Sequence, residues 1–108
     1  MKKATHATDR STLRDFRQIM NVGPAMAGDF RRMKLDSPQA LIGRDPLALY
    51  AELCQVDRTF HDPCVLDTLI AVVAYMDGAP PLAWWSYTVE RKRRFGPQVE
   101  ALRAQFGA

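Results

Sequence analysis

Four times ahead of residue 64 a proline stands directly behind a residue suited to the start of a helix: Gly23-Pro24, Ser37-Pro38, Asp45-Pro46 and Asp62-Pro63. Proline fits the first helical position because its missing N–H would have no intrahelical partner there. Serine or aspartate just before it can accept from the next free amides. These four pairs therefore predict four helix starts and confine the chain to short helical segments.

The residues between the starts repeat at helical spacing. Ala27, Phe30 and Met33 follow Pro24, and Leu41 and Ile42 follow Pro38 before Gly43. Leu49, Tyr50, Leu53 and Cys54 follow Pro46, and Val65, Leu66, Leu69, Ile70, Val72, Val73 and Met76 follow Pro63, with Gly78 as terminator. The last set is apolar on most of its circumference and predicts the central helix of the core. Ahead of Gly23, the set Leu13, Phe16, Ile19 and Met20 predicts another helix, with Asp15 three residues after Thr12 close to a capping box. Gly96-Pro97 predicts the start of a last amphipathic helix carrying Val99, Leu102 and Phe106. The stretch Ser86-Tyr87-Thr88-Val89 has strand-like content, but helix is the preferred reading. No period-2 alternation of useful length occurs, so the expected fold class is all-α.

A chain of 108 residues that is 47% hydrophobic and 25% charged fits one globular domain with a modest core. Its longest apolar run, Leu69–Met76, is far short of the roughly 20 residues that cross a bilayer. Basic residues open the sequence without an apolar stretch behind them, so no secretory signal is read and the cytoplasm is the expected location. Two cysteines, Cys54 and Cys64, cannot make a disulfide framework and are expected as free thiols. Charge is unevenly spread: +5 over residues 1–34, −5 over 35–89 and +3 over 90–108. If the basic ends meet, they form a face that favours polyanions.

The opening hairpin is more specific. Apolar Ile19, then Asn21-Val22-Gly23-Pro24, then Ala27 and Phe30 resembles the helix-hairpin-helix motif, with Gly23 at its second glycine, Ala27 at its small residue and Asn21 in place of its first glycine. Asparagine is the residue after glycine that best tolerates left-handed backbone. The amides of Gly23, Ala25 and Met26 open the second helix at the positive end of its dipole, where a phosphate oxygen is well placed. Arg31, Arg32 and Lys34 near the other end of that helix could add charge contacts to a neighbouring phosphate. Such contacts position a nucleic-acid backbone without reading its sequence.

Continuing through Ser37-Pro38-Gln39-Ala40-Leu41, Asp45–Tyr50, Leu53-Cys54 and Asp62–Leu66, residues 12–85 resemble the small bacterial pathogenicity-locus and mitomycin-resistance-type family. The resemblance implies a tandem helix-hairpin-helix, SAM-domain-like bundle of five to seven short helices. The chain is accordingly read as a flexible tail over 1–10, the helix-hairpin-helix domain over 11–85 and a basic helical extension over 86–108 that lies outside the resemblance. Non-sequence-specific contact with the phosphate backbone of duplex DNA, linked to DNA repair or damage resistance, is the expected function. The rival is a helical interaction module, in which the acidic middle meets the basic end of another copy or of a partner.

Other chemistry is less well supported. Cys54, His61 and Cys64 have a spacing open to metal ligation, but no fourth Cys or His is near, so no metal or other cofactor is expected. His6 belongs to the expected tail. Neither cysteine has the setting of a nucleophile and Asp45 and Asp62 are read as caps, so the chain is not read as an enzyme. One of Trp84 and Trp85 should close the core, and the other could stack on unpaired bases beside Arg91-Lys92-Arg93-Arg94. That basic run covers a full helical turn, so only two or three of its charges, with Arg93 and Arg94 foremost, can extend the phosphate footprint.

Overall fold

In a computed structural model, residues 10–107 are described, and they form four α-helices joined by short 3-10 turns, with no β-strand among them. Helix α1 spans Pro24–Arg32, α2 Pro46–Asp57, α3 Pro63–Met76 and α4 Thr88–Phe106. The 3-10 turns are Arg10–Thr12, Phe16–Gln18, Pro38–Leu41 and Trp84–Tyr87. The expected tail over 1–10, with His6, lies outside the described residues apart from Arg10.

All four proline starts are realised. Asp45 accepts from the Leu47 amide at 2.9 Å and Asp62 from the Cys64 amide at 2.8 Å, each satisfying one of the free donors of a helix start. Gly43 and Gly78 sit at φ 72° and 112°, conformations in which a side chain would be strained, and both end helical segments. Helix α3 is the central element and packs against α2, α4 and the turns at 38–41 and 84–87. Leu66, Leu69 and Val72 are wholly buried on it.

Two expected elements differ. Residues 12–20 do not form an α-helix, although Leu13, Phe16 and Ile19 are all buried and the Phe16 ring lies 4.8 Å from that of Phe30. The capping box sits later than expected: Asp15 accepts from the Arg17 amide at 2.8 Å, and Gln18 accepts from the Asp15 amide at 2.9 Å. Ile19 is already extended, with ψ 133°, so only three residues remain for the turn, too few for an α-helical one.

The second difference is at Gly96-Pro97, where α4 runs straight through. Pro97 removes one amide that would have met the Arg93 carbonyl, and Gly96 has no Cβ to clash with the proline ring. Phe95 and Val99 are buried on either side and anchor both halves of the helix to the core. The Arg103 guanidinium lies 4.6 Å from the Phe60 ring and ties the far end to the segment after α2.

Candidate nucleic-acid interface

The turn before α1 is built around Asn21. Its backbone is left-handed, φ 78°, as its residue type predicts. Its side-chain amide donates to the Leu82 carbonyl at 2.8 Å and accepts from the Trp84 amide at 3.0 Å. The hairpin is thereby clasped to the start of the Trp84–Tyr87 turn, 61 and 63 residues on in sequence. Asn21 is thus a fastening between two segments, and Val22 is fully buried, so both hold the turn in shape.

Gly23 follows at φ −102° and ψ −171°, backbone that any residue adopts. The left-handed position of the hairpin is Asn21 and not Gly23. A Cβ at Gly23 would have nothing within 4 Å. Beyond it Ala25 is exposed and Met26 half-buried. The first helical bond runs from the Ala27 amide to the Gly23 carbonyl at 3.0 Å, so the amides of Ala25 and Met26 precede the ladder. No side chain caps this start and no acidic residue lies in its first turn. The bare end of α1 is therefore an electropositive opening with room above Gly23.

The expected cations divide sharply. Arg32 donates to Asp57 at 2.9 Å and also to Asp29, clamping α1 to α2. Hydrogen bonding to Asp57 and then Asp29 pushes the Arg32 guanidinium up, and the Arg32 bond, followed by that of His61 at 2.8 Å, holds the Asp57 carboxyl below the usual carboxylate range against the opposing effect of burial. Arg32 is engaged in this clamp, with its side chain still half-exposed. Arg31 and Lys34 are exposed and line, with Arg14, Asp15, Phe16 and Asp36, an open groove of about 500 Å³. At about 1.5 Å per residue, α1 separates Arg31 from Gly23 by roughly 12 Å. These cations and the helix start are therefore too far apart to meet on one small anion.

In the basic run, Arg91 donates to Asp67 at 2.7 Å, and the Thr88 hydroxyl donates to the other carboxylate oxygen at 2.7 Å. The Asp67 side chain is 1% exposed and that of Arg91 12%, so this is interior structure. An aspartate in the middle of the apolar run Val65–Met76 was a readable signal that a cation would come to meet it. Arg94 lies 3.8 Å from Glu90 and its guanidinium 4.6 Å from the Phe95 ring. Lys92 and Arg93 are exposed without an ion-pair partner among the described residues. Trp84 is half-buried and Trp85 is 66% exposed, their rings in edge contact at 5.6 Å.

Cys54 is buried and Cys64 half-buried. Burial, helped by Asp62, pushes the Cys64 thiol up to about 11, away from thiolate chemistry near neutrality. His61 uses its ring on Asp57 and its carbonyl accepts from the Tyr50 hydroxyl. Among the described residues no three His, Cys, Asp or Glu side chains are grouped to hold a metal ion, and no helix is long and apolar enough to cross a membrane.

Comparison with known proteins points to one family. Residues 9–93 match the profile of the family described as "Pathogenicity locus", a span that runs past residue 85 into the first turns of α4. The chain is 38% identical over 79 residues to mitomycin resistance protein McrB of Streptomyces lavendulae, covering 73% of this chain and 75% of that protein. No solved structure matches.

Proposed function

We propose that this chain, which belongs to the pathogenicity-locus family, binds duplex DNA without sequence preference, with the start of α1 as one half of a helix-hairpin-helix phosphate contact. The observation that carries the reading is the bare helix start: Gly23 at the cap position, open space above it, and no carboxylate to neutralise the free amides. A phosphate oxygen supplies what the Asp45 and Asp62 side chains supply at α2 and α3. Arg31 and Lys34, one helix length away, hold a second phosphate, and Lys92 and Arg93 add charge from α4. We take the role to be in the cytoplasm, in DNA repair or damage resistance, the latter in keeping with the resistance named in the S. lavendulae relative. We read it as binding and not catalysis.

The test is fluorescence anisotropy with a duplex of about 20 base pairs between about 50 and 200 mM salt, where two or three phosphate contacts predict a log–log slope of about −2 to −3. Gly23→Val folds, because its backbone is ordinary and its Cβ meets open space, but it covers the amides and abolishes most of the binding. A folded wild type that binds no duplex at low salt would instead support the protein-docking module.

A further inference from the structure

The proposed duplex contact leaves unused the most exposed apolar surface near it. Trp85 and Val89 are 66% and 78% exposed, and neither is covered by another element. Val89 lies three and four residues before Lys92 and Arg93 on α4, so these three side chains neighbour one another on one helical stripe, and Trp85 precedes Val89 from the adjoining Trp84–Tyr87 turn. The two members of the basic run that lie off this stripe are the committed ones: Arg91 is held by Asp67, and Arg94 lies beside Glu90 and against Phe95. The two without partners lie on it. An aromatic ring and two cations without ion-pair partners among the described residues share one face, while Arg91 is drawn inward to Asp67 and Arg94 sits at the surface beside Glu90, a pattern of charge complementarity toward a polyanion that also carries flat apolar surfaces.

Single-stranded nucleic acid has that chemistry. An acidic peptide would match the cations but offers no planar rings at regular spacing. The indole is braced without being hidden, since an edge contact with Trp84 at 5.6 Å covers at most one face of either ring. From Trp85 to Lys92 and Arg93 is roughly 10–12 Å along the axis, at about 1.5 Å per residue. A strand stacked at about 3.4 Å per base spans this with about three nucleotides. The Asn21 bonds to the Leu82 carbonyl and the Trp84 amide place the base of the indole next to the hairpin. We infer that the Trp85–Val89–Lys92–Arg93 face is a stacking platform for unpaired bases, so that the protein engages DNA where a duplex gives way to a single strand. The inference rests on the duplex reading for its anchor on α1.

The experiment uses the full chain with three probes: a blunt hairpin duplex, the same duplex with a 3′ oligothymidylate overhang, and the free oligothymidylate. The overhang is expected to tighten binding over the blunt duplex, and Trp85→Ala to remove that gain, about five- to a hundredfold, while leaving blunt-duplex affinity within about twofold. Trp85→Phe keeps part of the gain, because a ring remains, and Trp85→Leu loses it. Lys92→Ser with Arg93→Ser lowers the salt dependence on the overhang by about one to two units of slope. Trp85 is exposed enough that all three of its variants fold, and their melting temperatures are checked against wild type. An overhang that adds nothing, or a gain that Trp85→Ala or Trp85→Leu retains, overturns the platform while blunt-duplex binding still stands. Trp85-dependent binding of the free strand without any blunt-duplex binding overturns the duplex reading and keeps the platform.

Discussion

Replacing Gly23 by aspartate should raise stability and lower DNA affinity in the same molecule, an opposition that few other positions could produce. Aspartate is a better N-cap than glycine by a few tenths of a kcal/mol, and its charge at a helix start adds about 0.3–1 kcal/mol. Removing a glycine whose φ of −102° suits any residue contributes about 0.4–1 kcal/mol through the unfolded chain. No steric penalty offsets this, because a Cβ there has nothing within 4 Å. The expected gain is about 1–2 kcal/mol, or roughly 4–10 °C in melting temperature for a domain of this size. The same carboxylate occupies the place of the phosphate and repels it; loss of one charge-assisted contact, about 1.5–3 kcal/mol, weakens duplex binding by about tenfold or more. Thermal melts by circular dichroism and anisotropy titrations on the same preparations read both effects, with Gly23→Asn as the uncharged cap. If Gly23→Asp melts higher and binds duplex as tightly as wild type, the start of α1 is not the phosphate site.

Two further predictions concern the frame around the site. Arg91→Ala leaves the buried Asp67 carboxylate with only the Thr88 hydroxyl, and should destabilise the fold by about 3–5 kcal/mol in urea unfolding; a loss below about 1 kcal/mol would mean that the pair behaves as a surface one. The Cys64 thiol, raised from 9.0 to about 11 by burial, stays protonated in the folded chain after the unfolded chain has ionised. Its contribution to stability is therefore complete below about pH 9 and lost as pH rises through about 11. Urea midpoints across that window should fall less steeply in Cys64→Ser, and alkylation of wild type at pH 8 should be slow; rapid labelling there would contradict the burial argument.

The helix starts were legible because each rests on a local rule: a cap, a proline and an apolar stripe within a few residues, as at Asp45-Pro46 and Asp62-Pro63. The elements that differ from expectation depend on competing or distant interactions. Thr12 and Asp15 satisfy the spacing of one capping box, but Asp15 with Gln18 forms another, and the choice between the two decides whether Leu13 to Ile19 is a helix or a tight turn. Gly96-Pro97 reads locally as a start, yet Phe95 and Val99 are both needed in the core and hold α4 continuous through it. At the candidate site, the residue types around Gly23 were visible, but the clasp from Asn21 to the Leu82–Trp84 segment joins parts of the chain that no local pattern connects.

The same distinction resolves the charge pattern of +5, −5 and +3. Most of the acidic middle is used within the molecule: Asp45 and Asp62 cap helices, Asp57 holds Arg32 and His61, Asp67 holds Arg91, and Asp77 accepts from the Gly43 amide at 2.7 Å. Glu52 lies 4.0 Å from Arg44. Asp36 is the member of that set left to line the open groove. The basic ends are drawn in too, with Arg10 donating to the Tyr75 and Ala79 carbonyls at the end of α3, where a cation suits the dipole. What remains outward among the described residues is mostly positive: Arg14, Arg31 and Lys34 around the groove, and Lys92 and Arg93 on α4. Of the acidic middle, Asp57 and Asp67 are paired with Arg32 and Arg91, whereas Lys92 and Arg93 have no ion-pair partner among the described residues. In the proposed reading, these outward cations are what a nucleic-acid backbone meets, and the paired ones serve to hold the fold.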